Sequence, residues 1–128
     1  MTGRTLFKNC KLLDGENPAI TTATIALDGD CIVGAEAEVP QALPGDTVID
    51  LRGLTIMPGM VMSHFHAAYR ENGGPHSMSV NASPASPSFT AISNAQIALR
   101  RGFTSVVSVS TFYNIDAALS KEIERGFI

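Results

Sequence analysis

The second half of the chain alternates between strand-like and helix-like segments, and this alternation constrains the fold more than any other feature. Met60–Phe65 and Phe103–Val109 are apolar or β-branched runs of strand length, separated by a stretch with helical spacing. A second helical pattern covers Ala117–Arg125. The order β-α-β-α is typical of a parallel α/β fold, and the continuous apolar run Met60–Phe65 is typical of a strand buried on both faces. We therefore predict a parallel sheet to which this stretch contributes two βα units.

Local signals define the limits expected for the two helices. Ser86 and Pro87 fit an N-cap followed by proline at the first helical position, and Gly102 fits a helix stop. Asn114 or Asp116 is expected to cap the second helix. The faces expected to be buried consist of Phe89, Ile92, Gln96 and Leu99 with Ala95 beside them in the first helix, and of Leu119 and Ile123 in the second.

Residues 1–57 have the pattern of a small all-β unit rather than of an α/β fold. Short β-branched or apolar runs alternate with turn residues, and Asp28-Gly29-Asp30 marks a hairpin because glycine supplies the positive φ that the turn needs. The predicted strands are Thr5–Lys8, Thr24–Leu27, Cys31–Val33, Thr47–Leu51 and Leu54–Met57. We therefore divide the chain into an open or sandwich-like β unit, residues 1–57, and an α/β part, residues 58–128.

The composition excludes several classes of protein. The 128 residues are 45% apolar and 16% charged, which is enough for a packed core, and the formal charge of −3 comes without a basic patch for nucleic acid. No apolar stretch approaches the length of a membrane-spanning helix, and we expect no signal peptide. Cys10 and Cys31 are too few for a disulfide framework. We therefore expect a cytoplasmic protein that binds neither nucleic acid nor membrane.

Two of the three histidines, His64 and His66, lie at the end of the apolar run Met60–Phe65. Side chains two residues apart in an extended strand point to the same face, so both imidazoles are expected to face one space while Ser63 and Phe65 point away. Two convergent neutral imidazoles are half of a typical zinc, iron, manganese or nickel site, although such a pair also occurs by chance. The sequence therefore predicts a metal site at His64 and His66.

The segment Leu54–His66 resembles the metal-dependent amidohydrolase superfamily, most closely its imidazolonepropionase-like and Xaa-Pro or Xaa-Arg dipeptidase-like branch. Other stretches resemble the same family in the same order: Leu12–Gly15, Asp28–Gly29 and Val48–Leu51 look like its β-sandwich, Arg101–Val107 looks like its second barrel strand, and Ala117–Gly126 looks like the helix after that strand. The resemblance implies the N-terminal part of a small β-sandwich followed by the first βα units of an incomplete TIM-like (β/α)8 barrel.

By this resemblance, His64 and His66 end the first barrel strand and bind the more buried metal of a site for one or two divalent ions, with Zn²⁺ expected. The remaining ligands, and the aspartate that shuttles the proton, are expected on later strands outside residues 1–128. The implied reaction is hydrolysis of an amide-type C–N bond in a small amino-acid-derived or cyclic amide. Met62 and Ser108 stand where the family usually has aspartate. These departures favour the alternative of a non-catalytic, truncated or degenerate homologue that folds by docking on a partner chain.

A long loop, residues 67–88, follows the histidine pair and is rich in serine, glycine, proline and asparagine. In a barrel, loops at the C-terminal ends of strands form the rim of the active site. Tyr69, Arg70 and His76 lie in this loop and are the candidate substrate-binding residues, with Arg70 suited to a carboxylate. Solvent-exposed surface positions are the alternative interpretation for all three.

The predicted barrel is incomplete, because a closed barrel of eight βα units needs about 200 residues or more. Two βα units leave an exposed edge of parallel sheet, which soluble proteins avoid. We therefore expect the chain to require the remaining barrel segment or a second chain, to form a homo-oligomer, and to act on a small-molecule substrate.

Overall fold

The computed structural model describes residues 3–18, 20–37, 41–70, 83 and 85–128. The chain is a mixed α/β protein with two compact units, Met1–Pro58 and Gly59–Ile128. No helix in the described ranges is long and apolar enough to cross a membrane.

The N-terminal unit contains one five-stranded sheet built around its first strand. The strands are β1 (Thr5–Leu12), β2 (Ile20–Asp28), β3 (Cys31–Glu36), β4 (Thr47–Asp50) and β5 (Thr55–Ile56). Strands β1, β2 and β3 pair antiparallel in sequence, and β4 and β5 both pair parallel with β1. All five predicted strands are present, but they belong to a single sheet. The sandwich that we predicted therefore has no second layer in the described part of the chain.

The C-terminal unit follows the predicted order of elements. Its elements are β6 (Met60–Phe65), α1 (Ala85–Arg100), β7 (Phe103–Ser108) and α2 (Ile115–Glu124). Strands β6 and β7 pair in parallel, which confirms the β-α-β unit. The buried core consists of Phe65, Ala67, Ala68, Ala91, Ala98, Ile115 and Leu119. Leu119 is buried as predicted, whereas Ile123 is 49% exposed and lines an open cleft with Val106.

Helix α1 buries only part of the predicted face. Ala91 and Ala98 are buried, whereas Phe89 is 72% exposed and Leu99 is 62% exposed. Ile92 and Ala95 pack against the core, as predicted, and Gln96 is exposed. Small side chains let the helix approach the sheet closely, so the contact selected the alanine face rather than the face with the largest apolar residues.

Strand β6 is much more exposed than its apolar sequence predicts. Phe65 is its one buried residue, while Met60 and Met62 are half-buried and Val61 is 63% exposed. The prediction of burial on both faces is therefore wrong for this unit. The described residues provide helices on one side of the β6–β7 pair and no covering layer on the other.

The helix boundaries differ from the predicted ones by about one half-turn. Helix α1 begins at Ala85, so Ser86 lies inside the helix and is not its N-cap. Gly102 ends the turn after α1 with a φ of 90°, as predicted. Asn114 occupies the N-cap position of α2 in the left-handed region, without a capping hydrogen bond from its side chain, and Asp116 lies in the first turn.

Candidate metal centre

A bulge near the end of β6 sets the direction of the two histidines. Met62 pairs with Val106 and Phe65 pairs with Ser108, so β6 has one residue more than β7 between these pairs. Met62 and Phe65 both pack in the core, although strict alternation would put residues three apart on opposite faces. The extra residue shifts the alternation, and His64 is left exposed at the C-terminal end of the strand.

The two imidazoles converge as predicted from their spacing. The Nε2 atoms of His64 and His66 lie 3.0 Å apart, and the ring planes meet at 79° with centroids 4.7 Å apart. Two nitrogens that bind one ion at about 2.05 Å lie about 2.9 Å apart at a right angle and about 3.3 Å apart at the tetrahedral angle. The observed separation falls within this interval, so the pair fits one divalent ion shared by both Nε2 atoms.

Val109, the residue after β7, determines which ring nitrogen of His66 carries the hydrogen. The Nδ1 atom of His66 lies 3.1 Å from the carbonyl oxygen of Val109, and the backbone N–H of Val109 donates to Phe65 at 2.9 Å. Because a carbonyl oxygen only accepts, Nδ1 carries the hydrogen and Nε2 keeps its lone pair. This arrangement is the usual one for a metal-binding histidine, whose second ring nitrogen is held by a backbone carbonyl or a carboxylate.

The turn after the pair packs a second ring against His66. Tyr69 stacks on His66 with ring centroids 4.3 Å apart and planes 10° from parallel. The backbone N–H of Tyr69 donates to the carbonyl of His66 at 3.2 Å and closes the turn. Asn94 on α1 donates from Nδ2 to the carbonyl oxygens of Ala67 and Tyr69, each at 2.8 Å. Sequence patterns assigned Val109 to a strand, but they predicted no role for its carbonyl or for Asn94.

The two departures from the family pattern have different surroundings. Met62 packs against the hydrophobic core and faces the helices. Ser108 lines a cleft of about 400 Å³ beside Asp116, and its Oγ is buried with no hydrogen-bond partner among the described residues. A hydrogen bond with the Thr111 side chain lowers the pKa of Asp116, and the N–H of Ala117 donates to the same carboxylate at 2.9 Å. Position 108 therefore brings a neutral hydroxyl, not a charge, to the end of β7.

The three candidate substrate-binding residues lie in different surroundings. Tyr69 lies within the candidate metal centre, where its ring stacks on the ring of His66. Arg70 is exposed and donates from Nη2 to the Ser86 hydroxyl at 3.0 Å, beside a surface groove that Asn94 also lines. His76 lies outside the described residues. Among the residues with described positions, no group of three histidine, cysteine or acidic side chains is arranged to hold a metal.

Comparison with known proteins identifies relatives that have different enzymatic activities. No protein-family model matches the sequence. The chain is 33% identical over 104 residues to a dihydroorotase of Bacillus licheniformis, covering 81% of this chain and 21% of that protein. It is 35% identical over 68 residues to a 5-methylthioadenosine/S-adenosylhomocysteine deaminase of Moorella thermoacetica, covering 52% of this chain and 16% of that protein. The chain thus spans about a fifth of the length of the curated relatives that it matches.

Solved structures match nearly the whole chain. A Xaa-Pro dipeptidase with bound methionine matches with a TM-score of 0.82 and 23% identity, over 98% of this chain and 31% of that chain. An amidohydrolase matches with a TM-score of 0.80 and 26% identity, over 98% of this chain and 29% of that chain. The chain therefore has part of the fold of the amidohydrolase superfamily. Together with the two curated relatives, these matches confirm the relationship to that superfamily.

Proposed function

We propose that this chain provides two metal ligands, His64 and His66, of a cytoplasmic metal-dependent hydrolase that cleaves an amide-type C–N bond. The proposed substrate is a small amino-acid-derived or cyclic amide. The observation that carries the proposal is the 3.0 Å separation of the two Nε2 atoms, combined with the hydrogen bond that holds the His66 proton on Nδ1. The names of the matched proteins, which include a dihydroorotase and a Xaa-Pro dipeptidase, support the class of bond.

We further propose that the C-terminal unit forms the first two βα units of a (β/α)8 barrel and that the N-terminal sheet is part of a β-sandwich. The parallel pairing of β6 and β7 around α1 supports the first part of this assignment. In such a barrel, the C-terminal ends of the strands form the active-site face. His64, His66 and the Val109 carbonyl all lie at that end of the β6–β7 pair.

His64 and His66 would hold a divalent ion at this position, and the ion would supply Lewis-acid activation of a water molecule and of the substrate carbonyl. Imidazole nitrogens suit Zn²⁺, in a site for one or two ions. Val109 keeps the Nε2 lone pair of His66 available, and Tyr69 covers one face of its ring. The third ligand and the proton-shuttling aspartate are proposed to come from the remaining barrel segment or a second chain, and Arg70 is proposed to bind a substrate carboxylate.

A second candidate function is a non-catalytic homologue that folds against a partner chain. Two observations favour it. Met62 contributes to the hydrophobic core at a position where the family usually has aspartate, and Ser108 brings no charge. A pair of imidazoles is also one ligand short of the three protein ligands that catalytic zinc normally has. The two candidates differ in whether correctly folded protein retains metal.

Zinc binding tests the proposal directly. Zn²⁺ is titrated into the wild-type chain and into the variants His64→Ala, His66→Ala and His76→Ala, and its affinity is measured by calorimetry, because two imidazoles alone bind zinc more weakly than three protein ligands do. We expect the wild type and the His76→Ala control to bind one zinc with the same affinity, and the other two variants to bind it much more weakly. Equal affinity in all four samples, or no binding by folded wild type, would contradict the proposed ligand pair.

The proposed activity is tested after the composition of the natively purified sample is known. Denaturing intact-mass spectrometry detects any second polypeptide of about 250 residues, the size needed to finish a barrel of this type. If such a polypeptide co-purifies, hydrolysis of dipeptides and cyclic amides is assayed with added Zn²⁺. Hydrolysis by the complex that disappears with His66→Ala supports the enzyme, whereas an inactive, metal-free complex supports the non-catalytic homologue.

A further inference from the structure

We propose that Asn94 is a positioning residue of the candidate metal centre, because its carboxamide holds the turn that packs Tyr69 against His66. The inference rests on the proposed function, since it concerns the arrangement of the same histidine pair. Asn94 lies on α1 and touches neither Nε2 atom, so any effect on the metal passes through the turn.

The carboxamide of Asn94 joins the helix to the turn by two hydrogen bonds. Its Nδ2 atom donates to the carbonyl oxygens of Ala67 and Tyr69, each at 2.8 Å. An amide nitrogen carries two hydrogens, so a single side chain satisfies both carbonyls. The two carbonyls belong to the first and the third residue after His66. The turn is thus held from the helix side by Asn94, in addition to its own backbone hydrogen bond.

The two hydrogen bonds hold a turn whose alanine side chains are buried in the core. Ala67 is 1% exposed and Ala68 is 7% exposed, and both belong to the core of the C-terminal unit. Their methyl groups fix where the turn lies, and the hydrogen bonds from Asn94 fix how its peptide groups are oriented. A carbonyl that loses its donor next to a packed core is unfavourable, so the peptides reorient when the carboxamide is removed.

The orientation of the turn determines the orientation of the His66 ring. Two contacts restrict rotation of this imidazole: the hydrogen bond from Nδ1 to Val109 and the parallel ring of Tyr69 at 4.3 Å. The first contact depends on β7 and the second depends on the turn that Asn94 holds. Loss of the second contact lets the ring rotate, weakens the first contact, and moves Nε2 away from the position facing His64.

The test uses Asn94→Ala and Asn94→Asp, with Gln96→Ala as the matched control. Aspartate has nearly the shape of asparagine but no hydrogen to donate when ionised, and Gln96 is an exposed carboxamide on the same helix. Ring-nitrogen NMR of the metal-free chain measures which nitrogen of His66 carries the hydrogen. A Co²⁺ titration followed by visible absorption measures metal affinity, and far-ultraviolet circular dichroism checks the secondary structure.

We expect both Asn94 variants to lose the Nδ1–H preference of His66 and to bind Co²⁺ about tenfold more weakly, the lower end of the effect of outer-shell substitutions. Gln96→Ala should match the wild type in all three measurements. Unchanged tautomer and unchanged Co²⁺ affinity in the Asn94 variants would overturn the inference. Loss of most secondary structure in both variants would also overturn it, because Asn94 would then serve folding in general.

The two readouts separate this inference from the proposed function. If the wild type binds no Co²⁺ but the tautomer of His66 changes in the Asn94 variants, the metal proposal fails and the positioning role of Asn94 stands. If the wild type binds Co²⁺ through His64 and His66 with the same affinity in every Asn94 variant, the metal proposal stands and the positioning role fails.

Discussion

The imidazole of His66 and the carbonyl oxygen of Val109 are joined by a 3.1 Å hydrogen bond across the ends of β6 and β7. Because the carbonyl only accepts, the hydrogen of this bond belongs to Nδ1 of His66, and the neutral ring has its lone pair on Nε2. The Nε2 atoms of His64 and His66 lie 3.0 Å apart. We therefore predict that, without metal, the hydrogen between the two rings belongs to Nε2 of His64 and that the two histidines have opposite tautomers.

This difference predicts how the two rings respond to metal. Binding of Zn²⁺ should move the hydrogen of His64 from Nε2 to Nδ1 and leave the hydrogen of His66 on Nδ1, because a metal ligand must offer a lone pair. Ring-nitrogen NMR with and without Zn²⁺ measures both tautomers. The His66→Ala variant is the control, in which His64 should show no zinc-dependent change. A change at His66 but none at His64 would contradict the prediction.

Gly59 is predicted to tolerate no side chain. A Cβ atom at this position would overlap the Thr104 side chain at the start of β7. We expect Gly59→Ala to lower the free energy of unfolding by about 1–3 kcal/mol, as overpacking typically does. Urea unfolding followed by circular dichroism measures the change. Thr104→Ala in the same chain should restore part of the loss.

The control for this substitution is Gly34→Ala in β3, where the new Cβ would meet only the Ala26 methyl group, at the ordinary contact distance of 3.8 Å. We expect Gly34→Ala to be neutral or slightly stabilising, since alanine restricts the unfolded chain more than glycine does. Equal destabilisation by both substitutions would show that steric overlap at Gly59 is not the cause.

A substitution on the buried face of α1 is predicted to lower the stability of the chain, whereas a substitution on the exposed face is not. Ala91 is 1% exposed within the core, so Ala91→Leu should cost about 1–3 kcal/mol of unfolding free energy through overpacking. Phe89 is 72% exposed, so Phe89→Ser should change the stability of the chain by no more than about 0.5 kcal/mol. Thermal unfolding of both variants tests the assignment of the faces. The reverse ranking would mean that α1 packs through Phe89.

Acid should weaken the N-terminal unit through Asp46. Hydrogen bonds from the Arg4 side chain, and from the N–H of Leu43, lower the pKa of Asp46 from 3.8 to about 2. Because the pKa in the folded state lies below the unfolded value, the stabilisation is complete above about pH 4 and is lost as the pH falls towards 2. Asp46→Asn should therefore flatten the pH dependence of the urea midpoint between pH 4 and pH 2.

The control for the acid experiment is Asp30→Asn, which removes the same charge from the exposed turn between β2 and β3. This variant should retain the acid-dependent loss of stability seen in the wild type. If Asp30→Asn and Asp46→Asn flatten the pH dependence equally, net charge rather than the Arg4–Asp46 interaction accounts for the effect.

Local sequence patterns were sufficient for the element order and for the histidine pair. The limits predicted for Met60–Phe65 are those of β6, because an apolar run bounded by Pro58-Gly59 and a polar loop has few alternatives to a strand. The convergence of His64 and His66 was predicted from their spacing in an extended strand, and their Nε2 atoms lie 3.0 Å apart. The positive φ of Gly102 and Gly29 was equally predictable, since both turns require a conformation that glycine adopts without strain.

Burial was decided by tertiary packing and could not be predicted from these patterns. Helix α1 has two apolar faces at helical spacing, and contact with the sheet selected the one with Ala91 and Ala98 rather than the one with Phe89 and Leu99. Hydrophobic periodicity describes how residues are arranged around one helix, but close packing depends on the shape of the surface that the helix meets.

The supporting contacts of the metal centre also arise from the tertiary structure. Val109 and Asn94 lie 43 and 28 positions after His66, and they come next to its turn because β7 pairs with β6 and α1 packs in the same core. The bulge that puts Met62 and Phe65 on the core side depends on the register with β7, which no signal within β6 encodes. Spacing along one strand therefore predicts which atoms converge, whereas long-range pairing determines the tautomer and the orientation that make them ligands.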